Sequence, residues 1–73
     1  MQATDIMIHV SDNLSQDQKY NVESQLRKIE GVIAPRFNKE HLLVVYFNQD
    51  KTKSSILLNM VQSYGYKAQL VGL

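Results

Sequence analysis

The chain contains no cysteine and no tryptophan, and only one proline and three glycines among its 73 residues. Without thiols there is no disulfide staple, no thiolate metal ligand and no thiol redox chemistry, so stability rests on packed layers alone. Small cysteine-free domains are at home in the cytosol, and a cytoplasmic location is the expectation. An excess of one charge is also missing: 8 Lys and Arg face 7 Asp and Glu, a formal net charge of +1. That balance leaves little long-range field to draw in nucleic acid or an anionic membrane, and neither is expected as a partner. The longest uninterrupted apolar run, Leu42 to Phe47, has six residues, against the roughly 20 that a membrane-spanning helix needs. Met1 to Asp5 carries neither the positive patch nor the apolar stretch of an export signal. There is no Gly-rich phosphate loop and no nucleophile with an evident base, which argues against catalysis and against a bound cofactor.

What is present is a clear alternation of patterns in one domain, residues 1–73. Ile6, Ile8 and Val10 alternate with Met7 and His9, the period of a strand with one face on a core. Ser15 and Gln18 then fit a capping box, in which each side chain takes the other residue's backbone N–H. Val22, Leu26 and Ile29 recur at helical spacing, with Tyr20 off the stripe and placed to cover its edge, which predicts a helix from about Gln16 to Glu30. Gly31 suits a left-handed cap, with Lys28 in the last turn.

Val32 to Phe37 reads as extended, and Pro35, lacking a ladder donor, places it on an edge. After the polar turn Asn38 to His41, Leu42 to Phe47 is a central strand. Thr52 or Ser54 is positioned to cap a second helix carrying Leu57, Val61 and Tyr64 on one stripe, with Met60 beside it, and Gly65 ends it. Tyr66 to Val71 alternates again as a final strand. The order is β-α-β-β-α-β, an α+β, ferredoxin-like sandwich: two helices on one face of a four-stranded antiparallel sheet of order 4-1-3-2.

On these residues the chain resembles the heavy-metal-associated domain of copper chaperones, metal-pumping ATPases and mercury-binding proteins. Gly31-Val32 matches that family's Gly-Val after the first helix, and Val22, Leu26 and Ile29 fall on its core positions. Phe47 stands where the family has an aromatic ending the third strand, and Leu57, Val61 and Gly65-Tyr66 match its second-helix and Gly-Tyr pattern. The resemblance implies the fold. It also places the family's Cys-x-x-Cys on Ser15 and Gln18, and the Gly-Met before it on Asp12 and Asn13, so the metal motif is absent. Soft ions such as copper(I) are held there by paired thiolates, for which a hydroxyl and an amide are no substitute.

Two sets of residues remain as candidate sites. His9 and His41 fall at one end of the sheet, where two imidazoles, with Asp12, would suit zinc, copper(II) or nickel. A histidine at a strand end and another in a polar turn are more often simply solvated, so metal handling through them is the alternative reading, and a metal ion is not the partner first expected. The second set follows from the pleat. If Ile8, Val10, Leu43, Val45 and Phe47 point to the core, then Met7, His9, Arg36, Leu42, Val44 and Tyr46 point outward on a face that no helix covers. A sheet face this apolar points to a protein partner or a homo-oligomer, and to a non-catalytic interaction or oligomerisation module; the alternative is a face of scattered apolar residues trimmed by Lys67 and Gln69, with nothing bound. Tyr64, Tyr66 and Lys67 gather near the first loop, where the resembled family meets its partners; a helix-end aromatic beside a glycine is also an ordinary packing feature.

Overall fold

The computed structural model describes residues 2–71; Met1, Gly72 and Leu73, at the ends of the expected domain, lie outside the described residues. Six elements follow in the expected order: β1 (Ala3–Val10), α1 (Gln16–Arg27), β2 (Val32–Lys39), β3 (Leu42–Asn48), α2 (Ser54–Gln62) and β4 (Ala68–Leu70). The strands form one sheet of order β2-β3-β1-β4, antiparallel at every pairing. Read from the other edge this is 4-1-3-2, the ferredoxin-like arrangement. No helix among the described residues is long and apolar enough to cross a membrane.

Strand alternation decides the core. Ile8 and Val10 of β1 and Leu43, Val45 and Phe47 of β3 are buried against Val22 and Leu26 of α1 and Leu57 and Val61 of α2. Their expected inward orientation therefore holds for all five sheet positions. Leu14, in the loop before α1, joins this cluster, although no periodic pattern marks it.

Pro35 sits on β2, which pairs only with β3 and is an edge strand. The edge is closed from within. The Phe37 N–H points outward and donates to the Glu23 carboxylate of α1 at 2.8 Å. Pro35, two residues earlier and of the same pleat parity, has no N–H to present there. Between them the outer edge offers no free donor at either position.

Several boundaries depart from the sequence expectation. β1 begins at Ala3 instead of Ile6, because Ala3, Thr4 and Asp5 pair with Asn48, Phe47 and Tyr46 across the sheet. α1 ends at Arg27, capped by Lys28, and Ile29 lies beyond it in a tight turn that leads to Gly31. Gly31 does adopt the left-handed region, at φ 101°. Tyr20 is 66% exposed and is not among the residues packed against the core. At α2 the residue before the helix is Lys53, which makes no side-chain cap, while Thr52 is buried and Ser54 is the first helical residue. α2 stops at Gln62, so Tyr64 falls off its buried stripe, and β4 has three residues in place of six.

Candidate functional site

The loop between β1 and α1 is held at both ends by its own polar groups. Ser15 Oγ accepts the Gln18 backbone N–H at 3.1 Å, and Gln18 Oε1 accepts the Ser15 backbone N–H at 2.8 Å. Both halves of the capping box are formed, satisfying two donors that a helix start leaves free. Asp12 Oδ1 accepts the Lys67 N–H at 2.6 Å, tying this loop to the segment before β4. The Ser11 N–H donates to the Lys67 carbonyl at 2.9 Å beside it. Of the expected gathering of Tyr64, Tyr66 and Lys67 near this loop, the Lys67 backbone is in place against it, and the two tyrosine rings lie 6.1 Å from each other. The positions that the resemblance assigns to metal thiolates thus carry a hydroxyl and a neutral amide already engaged with the backbone. They do not fit a soft ion.

His9 and His41 do come together. Their ring centres are 5.8 Å apart, with the planes tilted by 33°. The register places His9 opposite Leu42 on β3. His41, just before β3, accepts the Val10 N–H on its backbone carbonyl at 2.9 Å, and its ring Nδ1 lies 2.8 Å from the Val10 carbonyl. A carbonyl can only accept, so Nδ1 carries the hydrogen and the lone pair of the neutral ring resides on Nε2. His9 Nδ1 is buried without a hydrogen-bond partner. Asp12, expected as a third ligand, is engaged by Lys67, and among the described residues no three His, Cys, Asp or Glu side chains are grouped to hold a metal ion.

The face turned away from the helices carries the six residues expected there. Met7 is 36% and Tyr46 42% exposed, Arg36 is exposed, and His9, Leu42 and Val44 are half-buried. The register arranges them in rows across the sheet. Asp5 is opposite Tyr46, which is opposite Ala34; Met7 is opposite Val44, which is opposite Arg36. Val71, whose N–H donates to the Met7 carbonyl at 2.9 Å, extends the second row and is also exposed. The signal that sequence reasoning missed here is Asp5, placed outside the expected strand, whose carboxylate shares the face with the Arg36 guanidinium.

No protein-family model matches the chain, and comparison with curated proteins finds no match. Solved structures do match over nearly the whole chain. The N-terminal domain of a potential copper-translocating P-type ATPase from Bacillus subtilis, in the Cu(I)-loaded state, superposes with a TM-score of 0.87 at 25% identity, covering 97% of this chain and 90% of that one. Oxidised MerP from Ralstonia metallidurans CH34 gives 0.83 at 20% identity, covering 96% and 99%. The CopZ metallochaperone gives 0.80 at 25% identity, covering 93% and 100%.

Proposed function

The chain has the heavy-metal-associated fold without that family's Cys-x-x-Cys, and from this premise we propose that it is a non-catalytic protein-contact module whose open sheet face pairs with a second copy. The observation that carries this reading is the apolar row Val71, Met7 and Val44, flanked by Tyr46 and Leu42, on a face that no helix covers. Contiguous apolar surface of this kind marks partner sites more often than free surface.

Charge supports a second copy as the occupant. Asp5 and Arg36 sit on different strands of the same face, separated by β3. A two-fold axis between them brings each Asp5 toward the other copy's Arg36, the self-complementarity that an isologous dimer requires. Size sets the strength. Strands of eight, eight, seven and three residues, about 4.8 Å apart and rising about 3.3 Å per residue, present roughly 400 Å² of sheet, so the total buried area is about 800 Å², below the range of standard specific interfaces. The dimer is therefore weak and depends on concentration.

Sedimentation velocity from about 10 µM to about 1 mM tests this. The expected result is a monomer–dimer equilibrium that Met7→Glu and Tyr46→Lys, both at exposed positions, shift to monomer with the fold retained. A strict monomer throughout, at normal solubility, overturns pairing through this face.

A further inference from the structure

We propose that His9 and His41 form a two-imidazole site for a borderline divalent transition cation, copper(II) ahead of nickel(II) and zinc(II). This goes beyond the contact reading above and stands on separate observations. The loop that carries metal in similar folds contributes nothing to it.

The Val10 carbonyl takes the hydrogen of His41 Nδ1, which leaves His41 Nε2 as a lone-pair nitrogen. His9 Nδ1 is buried with no donor or acceptor in reach. A buried ring nitrogen without a partner is destabilising unless something supplies one. The unpartnered nitrogen of His9 and the lone-pair nitrogen of His41, on rings 5.8 Å apart, are an arrangement that a cation satisfies.

The distance fits. An ion held about 2.0–2.1 Å from each nitrogen puts ligating ring centres about 4.5 Å apart at the right angle of tetragonal copper(II), about 5.2 Å apart at a tetrahedral angle and about 6.4 Å apart when opposed. The observed 5.8 Å separation lies between these limits. The bond from His41 Nδ1 to a backbone carbonyl is also the outer contact that metal-binding histidines characteristically make, because it fixes the tautomer and orients the free nitrogen.

The ligand set determines the kind of ion and how it is held. Neutral imidazoles prefer copper(II), nickel(II) and zinc(II) over the hard alkaline-earth ions, with copper(II) first in affinity. Only two protein ligands are present, since no third His, Cys, Asp or Glu among the described residues joins them. The remaining coordination positions therefore belong to water, and the ion exchanges readily.

The test is a titration of the full chain with zinc(II) alone, followed by NMR, and with copper(II) alone, followed by electron paramagnetic resonance. The expected result is that the ring C–H resonances of His9 and His41 move together along one saturable isotherm. The copper(II) spectrum should show coupling to two equatorial nitrogens. His9→Gln and His41→Gln should each weaken binding about tenfold or more, as loss of even an outer-shell partner does. Because His41→Gln also removes the bond to Val10, the wild-type titration is decisive without any variant. Movement of one histidine alone, of neither, or unchanged affinity in the His9→Gln protein overturns the site.

Discussion

The Glu23 carboxylate on α1 accepts the backbone N–H of Phe37 on β2 at 2.8 Å, so a helix side chain occupies the donor that an edge strand would otherwise expose. Glu23→Ala releases that donor. The expected loss is about 0.5–1.5 kcal/mol of stability, the net worth of an ordinary hydrogen bond. Amide exchange at Phe37 should quicken, while Glu23→Gln, which keeps an acceptor, recovers most of the protection. Exchange at Phe37 that stays the same in the Ala variant would show that the bond is not sustained in solution.

The capping box gives a second prediction. Ser15→Ala removes the acceptor for the Gln18 N–H and should cost about 0.5–2 kcal/mol, measured by urea denaturation. Gln18→Ala leaves the Ser15 N–H to water and should cost less. The double variant should fall short of the sum of the two, because each side chain positions the other. A stability untouched by Ser15→Ala would mean that the hydroxyl is free for another task.

Two glycines with positive φ separate strain from crowding. Gly31 (φ 101°) and Gly65 (φ 87°) both occupy the left-handed region, where an added Cβ is unfavourable. At Gly65 that Cβ meets nothing within 4 Å; at Gly31 it would stand 2.5 Å from Lys51 Cβ. Gly65→Ala should therefore cost about 1 kcal/mol, from conformation alone, and Gly31→Ala clearly more. Equal midpoints in thermal melts of the two variants would contradict this.

Core truncation should be severe for so small a chain. Leu26 and Leu57 are fully buried in the cluster between helices and sheet. Leu-to-Ala replacement at such sites costs about 2–5 kcal/mol, while 73 residues support roughly 4–11 kcal/mol in total. Either variant should show a large unfolded fraction at physiological temperature by circular dichroism, whereas Tyr20→Ala, at a 66% exposed position, should melt like the parent.

What was legible in the sequence is what local pattern encodes. Ser15 and Gln18 announced the start of α1, Pro35 announced an edge, and the alternation through Ile8, Val10, Leu43 and Val45 announced which way the sheet faces. The missed features depend on contacts between distant residues. Ala3 to Asp5 have poor strand composition, and only pairing with Phe47 and its neighbours makes them a strand. The bonds from Asp12 to Lys67 and from Glu23 to Phe37 span 55 and 14 positions and leave no periodic trace. At the histidine pair, residue types and topology suggested proximity, but the bond from His41 to Val10, which selects the tautomer, belongs to the three-dimensional arrangement alone.

The closed outer edge of β2 has a consequence for assembly. Growth of a fibre by adding strand to strand requires two receptive edges on every unit, one for each neighbour. With Pro35 lacking a donor and the Phe37 N–H held by Glu23, the outer edge of β2 offers no free donor at these two central positions. Addition of a strand at this edge is therefore disfavoured where an incoming strand would need those two donors, which weighs against edge-to-edge polymers.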